Sequence, residues 1–318
     1  MFFISSLRPP NGRPIAMSSA PRFLLFAGSA SRNLAEAIAR DYGAEMGKHE
    51  LVRFSDGEML PEYGESIRGH DIFIVQSTHP SADNIMELLL MIDAAKRASA
   101  NSITAVVPYY GYARQDRKSK SRVSIGAKLL ADMITTAGAS RVVTMDLHAG
   151  QIQGFFDIPL DNLDASAVFI PYLENLQLEN LAIATPDMGG ATRARLYAKH
   201  LTADLVLVDK FRERVNEVAS MKLIGDVRDK NVVIVDDIVD TAGTLTKAAA
   251  YIMEQGASSV RAAITHPILS GPAYERVAKS VLKELLVTDT VPLNENEPAP
   301  EQIKVLSIAP IMSQALKN

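Results

Sequence analysis

Residues 232–244 read Val-Val-Ile-Val-Asp-Asp-Ile-Val-Asp-Thr-Ala-Gly-Thr and place three carboxylates, two hydroxyls and a glycine behind four β-branched residues. A run of that kind predicts a strand covered on both faces. Asp236 and Asp237 then stand at its carboxyl end, and Asp240, Thr241, Ala242, Gly243 and Thr244 form a turn that opens a helix. The free N–H groups and dipole of a helix start suit a phosphate. Carboxylates repel phosphate, so Asp236 and Asp237 suit sugar hydroxyls or a cation. A helix cap with acidic neighbours accounts for one Asp or Thr, but not for the whole set.

Four further segments carry groups of the same kind. Residues 186–190 repeat the order of acid and glycine, with Asp187, Met188, Gly189 and Gly190 forming a second anion cradle and Asp187 a candidate metal ligand. A Gly-Gly turn into a helix also occurs for backbone reasons alone. Residues 144–148 bring Asp146 and His148 together; neutral imidazole beside a carboxylate can join a divalent-ion shell, although a lone histidine is more often structural. Residues 108–118 hold Arg114, Gln115, Asp116, Arg117 and Lys118, which read either as phosphate-ready cations or as a solvated basic loop. Residues 53–58 gather Phe54, Asp56, Gly57 and Glu58, in isolation a polar turn around Asp-Gly.

The elements that must position these groups alternate. Strands are expected at 23–27, 72–76, 103–108, 142–146, 181–185, 205–209, 232–236 and 260–265. Helices are expected at 84–98, 125–137, 192–200 and 244–255. This rhythm predicts an α/β fold of βαβ units around mainly parallel sheets flanked by helices, with ligands at the strands' carboxyl ends. Only 151–164 breaks it, with Gly154, Pro159 and no clear period. The 318 residues suggest about two domains at roughly 150 residues each. The division read here is a disordered extension at 1–21, one domain at 22–163 and a second at 164–318, its last helix packing back on the first. The halves look alike in plan, as a duplication would leave them.

Composition narrows the chemistry. Cysteine is absent, so disulfides, thiolate metal sites and a cysteine nucleophile are excluded. With 33 basic and 37 acidic residues and no basic block, a bulk nucleic-acid binder is disfavoured. No apolar run approaches the length of a membrane span, and residues 1–20 lack the core of a signal peptide, so a cytoplasmic protein is expected. Met17, just before the first strand, makes residues 1–16 dispensable in this reading.

Together the six segments at 54–58, 109–117, 146–148, 151–157, 186–190 and 236–244 resemble, in order, the class I phosphoribosyl pyrophosphate synthetases, or ribose-phosphate pyrophosphokinases. The resemblance implies two domains of the type I phosphoribosyltransferase kind. It implies transfer of a diphosphoryl group from ATP to the 1-hydroxyl of ribose 5-phosphate, with AMP released and magnesium as cofactor. By resemblance, Phe54, Asp56, Gly57, Glu58, Arg114, Gln115 and Asp116 bind ATP, and His148 and Asp187 hold magnesium. Asp236, Asp237, Asp240, Thr241, Ala242, Gly243 and Thr244 bind ribose 5-phosphate together with Arg212, and Asp187, Met188, Gly189 and Gly190 form the pyrophosphate loop. Lys210 and Arg212 match the catalytic cations, in a segment that departs from the family at Phe211, Glu213 and Val215. The resemblance further implies a homo-oligomer, a hexamer in the family, in which the segment matching 54–58 reaches a neighbour's nucleotide site. Many relatives continue past the position of Asn318 into a tail that helps form a regulatory ADP and phosphate site, so weakened ADP inhibition is expected.

Two other functions remain open at this point. A non-catalytic associated protein of the same fold would have lost the charges at Lys210, Arg212, His148, Asp187 and Asp236, all of which are present. A phosphoribosyltransferase shares only the 236–244 motif and is usually a single shorter domain. AMP release from ATP and ribose 5-phosphate separates the three.

Overall fold

The computed structural model describes residues 23–211 and 220–317. The extension expected at 1–21 lies outside them, as does Arg212. The first half runs β1 (Phe23–Ala27), α1 (Arg32–Tyr42), β2 (His49–Arg53), β3 (Met59–Tyr63), β4 (Asp71–Val75), α2 (Asp83–Arg97), β5 (Ser102–Val107), α3 (Gly126–Ala137), β6 (Arg141–Met145) and β7 (Leu160–Leu163). The second runs α4 (Ser166–Asn175), β8 (Leu181–Thr185), α5 (Ala191–His200), β9 (Asp204–Phe211), β10 (Ser220–Ile224), β11 (Asn231–Val239), α6 (Gly243–Glu254), β12 (Ser259–Pro267), α7 (Ala273–Ala278), β13 (Leu282–Thr288), β14 (Ile303–Leu306) and α8 (Ala309–Lys317).

Five parallel strands form one sheet in the order β1-β4-β5-β6-β7. The other sheet runs β10-β9-β8-β11-β12-β13-β14, parallel except for β10. Numbering each half from its first strand, β1-β4-β5-β6-β7 and β8-β11-β12-β13-β14 have the same order. Each half also places an antiparallel pair between its first strand and the next strand paired with it, β2 with β3 between β1 and β4, and β9 with β10 between β8 and β11. The stretch 151–164, read as aperiodic, contains a 3-10 turn (Gly150–Phe155) and β7, the edge strand of the first sheet.

Alternation along the strands sorts side chains into three cores. Ile103, Ala105 and Val107 of β5 face α2 and α3, whereas Val106 faces inward. In β11, Val232 and Ile234 face α6 and α7, whereas Val233 and Val235 face inward. The inward faces of both sheets share one core with α1, α4, α5 and α8. Helix α1 enters it through Leu34, Ala35, Ile38 and Ala39, spaced for one helical face, and stops at Gly43, whose φ of +81° allows its N–H to reach Ala39 and Arg40. Met312 and Leu316 of α8 pack into the same core, and the Lys317 ammonium lies 5.2 Å from the Tyr42 ring centre. Each large aliphatic side chain fully buried here contributes about 1.5–3 kcal/mol relative to exposure. The shared core fixes the two sheets relative to each other, with loops from both sheets lining common clefts.

Candidate active site

Strand β11 delivers Asp236 and Asp237 to a cleft of about 790 Å³ that both halves line. From the first half come Asp116, Arg117, Asp146, His148 and Gln151; from the second come Asp187, Gly189, Gly190, Arg193, Asp236 and Asp237. A smaller cavity of about 280 Å³ adjoins it, lined by Arg114, Pro186, Asp187, Asp236 and residues 238–245. It lies at the N-terminus of α6, where Ala242 takes the left-handed φ of +58° and turns the chain into the helix. That conformation costs an L-residue roughly 1–2 kcal/mol, and it aims the start of the helix into the cavity.

Asp237 is nearly enclosed, at 8% side-chain exposure, and uses both oxygens. Oδ2 lies 2.7 Å from His148 Nδ1, and Oδ1 accepts from Arg193 Nη1 at 3.2 Å. Burial alone would raise its pKa, but the His148 hydrogen bond and the Arg193 charge hold it well below the usual carboxylate range. The hydrogen bond to Asp237 in turn raises His148 against the opposing effect of burial. Asp236 moves the other way: burial first, then the Asp237 charge, push its carboxyl up to about 8. Two adjacent carboxyls are thereby given different protonation, the lower one held by a histidine and an arginine.

The other cradle is built on β8. Asp187 Oδ1 caps the turn by accepting from Gly190 N–H at 3.1 Å. A Cβ on Gly190 would lie 2.1 Å from Thr185 Oγ1, so only glycine fits there. Across the boundary, Arg114 Nη1 donates to Asp240 Oδ2 at 2.9 Å; within the first half, Asp116 accepts from Gln151 at 2.7 Å. Gln115 accepts from Ser124 at 3.3 Å. The equivalent crevice of the first half is filled by its own side chains. Ser29 N–H donates to Glu87 at 2.8 Å, Ala30 N–H donates to Gln76 at 3.1 Å, and Gln76 donates to Glu87 at 3.0 Å.

Phe54, Asp56, Gly57 and Glu58 sit apart from this site. They form the exposed tip between β2 and β3, where Asp56 accepts from Glu58 N–H at 3.0 Å, and none of them lines either cleft. Lys210 lies near the end of β9, paired in register with Met221 of β10.

A family model described as the N-terminal domain of ribose phosphate pyrophosphokinase matches residues 23–138, and a phosphoribosyl transferase domain model matches 164–297. The ribose-phosphate pyrophosphokinase of Porphyromonas gingivalis is 55% identical over 303 residues, covering 95% of this chain and 96% of that protein. The chain belongs to the ribose-phosphate pyrophosphokinase family. The Campylobacter jejuni ribose-phosphate pyrophosphokinase is 53% identical over 297 residues, 93% of this chain and 95% of that protein. The crystal structure of phosphoribosylpyrophosphate synthetase from Mycobacterium smegmatis superposes with a TM-score of 0.87 at 39% identity, covering 93% of this chain and 97% of that one. The α/β fold of this ribose-phosphate pyrophosphokinase family member, two phosphoribosyltransferase-type domains, is as its sequence predicts.

Sequence reasoning missed Arg193, Thr265 and His266. Arg193 lies three residues into α5, and its guanidinium comes 3.2 Å from Asp237 and 3.6 Å from Asp236. The only local signal was its position one helical turn after the Gly-Gly cradle. Among the described residues, no group of three or more His, Asp and Glu side chains forms a metal cage. No helix among them is long and apolar enough to cross a membrane.

Proposed function

We propose that the chain transfers the diphosphoryl group of ATP to the 1-hydroxyl of ribose 5-phosphate, giving phosphoribosyl pyrophosphate and AMP. The observation that carries this reading is the pair of adjoining clefts that share Asp187 and Asp236: Asp116 and His148 of the other half line the larger, and Arg114 lines the smaller with the α6 loop. Asp240, Thr241, Ala242, Gly243 and Thr244 cradle the 5-phosphate at the helix start. Asp236 takes the ribose hydroxyls, while Asp237 is committed to His148 and Arg193. Asp187, Met188, Gly189 and Gly190 hold the transferred diphosphoryl group, and Arg114, Gln115 and Asp116 address ATP. Lys210 and Arg212 meet the charge of the transferring and leaving groups.

The 1-hydroxyl oxygen forms the new bond to the β-phosphorus of ATP as the bond from that phosphorus to the α,β-bridging oxygen breaks, and the hydroxyl proton leaves. The chain supplies placement and charge rather than a covalent nucleophile. Magnesium fits the donors present. His148 commits Nδ1 to Asp237, which fixes the ring and leaves Nε2 to ligate, and Asp187 offers carboxylate oxygen in the same cleft. With so few protein donors, substrate phosphates and water would complete its shell. Bound there, it would neutralise phosphate charge.

The tip bearing Phe54, Asp56, Gly57 and Glu58 lies outside its own chain's clefts, which supports a homo-oligomer, a hexamer by family resemblance, in which it completes a neighbour's ATP site. The place of action is the cytoplasm, and the division near residue 163 separates the ATP side from the ribose 5-phosphate side. The test is incubation of purified protein with ATP, ribose 5-phosphate and magnesium. AMP release equal to phosphoribosyl pyrophosphate formed is expected; ADP, or no AMP, overturns the reading. Light scattering on the active species should show an oligomer, and an active monomer would remove the shared-site arrangement.

A further inference from the structure

Behind the His148–Asp237 pair lies a second set of bonds between the sheets, centred on His266 at the end of β12. This ring is 3% exposed and packs edge-on against Tyr109, centroids 5.0 Å apart. Its Nε2 lies 3.3 Å from the backbone carbonyl of Asp146, and its Nδ1 lies 3.0 Å from Thr290 Oγ1. A carbonyl only accepts, so the bond to Asp146 requires the hydrogen on Nε2; Nδ1 then faces Thr290 Oγ1, whose one hydroxyl hydrogen is shared between Nδ1 and the Thr265 carbonyl 3.1 Å away. Burial lowers the ring's pKa to about 4, so it remains a neutral imidazole at ordinary pH. The neighbouring Thr265 donates its hydroxyl to Asp146 Oδ2, while Asp146 Oδ1 accepts from Ala165 N–H at 3.3 Å.

Asp146 needs that support. It leaves β6 with φ of +40°, in the left-handed region, and such a residue persists only where its surroundings over-determine it. The turn it makes sends the chain through Leu147 to His148, two residues on. Leu147 N–H is itself held by Asn162 at 3.0 Å.

We propose that His266, assisted by Thr265, is a positioning residue for the reaction: by gripping Asp146 from the opposite sheet, it sets the turn that brings His148 to Asp237. The inference rests on the proposed function only in assigning His148 a place at the phosphates. It couples the two halves at the point where their substrates meet, through groups that touch neither substrate.

The experiment compares His266→Leu, which removes the donor, with His266→Gln, whose amide N–H can occupy the place of Nε2–H. Two readouts are taken: kcat against KM, and histidine-selective 15N spectra of substrate-free protein, tractable with six histidines. In the wild type, His266 should show the Nε2–H form and His148 a proton on the Nδ1 facing Asp237. His266→Leu should lower kcat about 10- to 100-fold, the range for lost supporting contacts at phosphate and metal sites. It should leave KM for ATP nearly unchanged and abolish the His148 Nδ1–H signal, and His266→Gln should restore both. A folded His266→Leu protein with normal kcat and an unchanged His148 signal overturns the proposal. So does equal impairment by Leu and Gln, or a wild-type Nδ1–H form of His266. If His266→Leu does not fold, Thr265→Val carries the test, with the same kcat loss and spectral change expected and a wild-type result on both counts overturning it. Wild-type AMP release decides the proposed function separately, because the spectra need no substrate.

Discussion

Arg114, in the loop after β5, and Asp240, in the loop after β11, come from different halves and are joined by a 2.9 Å hydrogen bond between guanidinium and carboxylate. The first was expected to bind ATP and the second to bind ribose 5-phosphate, so the two proposed subsites are in contact before any substrate arrives. At 51% and 31% side-chain exposure the pair is worth about 0.2–1 kcal/mol to the fold. ATP phosphates would therefore compete for Arg114 with little loss of stability. Arg114→Ala is expected to raise KM for ATP about tenfold or more, the equivalent of 1.4 kcal/mol of binding. It should leave the melting temperature close to that of the wild type. A large drop in melting temperature with unchanged KM would make the pair a strut instead.

Asp236→Asn should stabilise the protein while impairing catalysis. The folded-state pKa of Asp236 is raised to about 8 from an ordinary 3.8, so its contribution to stability is fully present below 3.8 and is lost as pH rises towards 8. Asparagine removes the charge that the site opposes. Each kcal/mol recovered raises the melting temperature by roughly 2–4 °C in domains of this size. Melting curves at pH 5 and pH 8.5 should show the gain mainly at the higher pH, and a gain equal at both would refute the titration.

Activity should fall on the acid side at a pH above the ordinary histidine value of 6.5. The Asp237 hydrogen bond raises His148, and a protonated imidazolium cannot ligate magnesium. Stability runs in the opposite sense, because the His148⁺–Asp237 interaction is fully present below 6.5 and fades as pH rises through the folded pKa. Asp237→Asn should move the acid limb of kcat/KM to lower pH, as should higher magnesium concentration. A limb that responds to neither belongs to another group.

Lys210→Ala and Arg212→Ala should each lower kcat by a factor on the order of 10³ to 10⁵, the range for cations that meet transition-state charge in phosphoryl transfer. Michaelis constants should change far less. Steady-state kinetics decide the matter: a variant with near-normal kcat and lost affinity would mark a binding group.

Glu87→Ala should cost about 1–3 kcal/mol in chemical denaturation. It removes a 1% exposed carboxylate that accepts from Ser29 N–H, the Ser29 hydroxyl and the buried Gln76 amide; Ser29 is exposed and can turn to water, whereas the amide keeps only its 3.3 Å bond to the Asn84 carbonyl. Glu87→Gln, which keeps one acceptor oxygen, should lose less. Equal losses would show that packing volume, rather than hydrogen bonding, governs this site.

The central parallel strands were legible because burial on both faces leaves uninterrupted apolar runs, as at Val232, Val233, Ile234 and Val235. The hairpin of β2 and β3 was not. His49 to Arg53 is largely exposed and carries no such run, and Pro61 interrupts its partner strand. Strand β7, with Leu160, Asp161, Asn162 and Leu163, is a half-buried edge whose identity comes from pairing with β6. The same limit applies to the site. Carboxylates at strand ends can be picked out from a short window, but the link from His148 to Asp237 spans 89 residues and that from Asp146 to Thr265 spans 119. Such pairings follow from how two sheets dock, which no local pattern encodes.

The seat of α8 on α1 also constrains the order of folding. Leu34 and Ile38 lie more than 270 positions ahead of Met312 and Leu316 and reach the same core only when the chain closes on itself. A first half that folds during synthesis presents an open apolar strip until the final helix arrives. Closure over such a distance is slow, and exposed strips of this kind invite self-association. Nascent chains of this protein should thus depend most on chaperones after their first sheet is complete and before α8 has emerged.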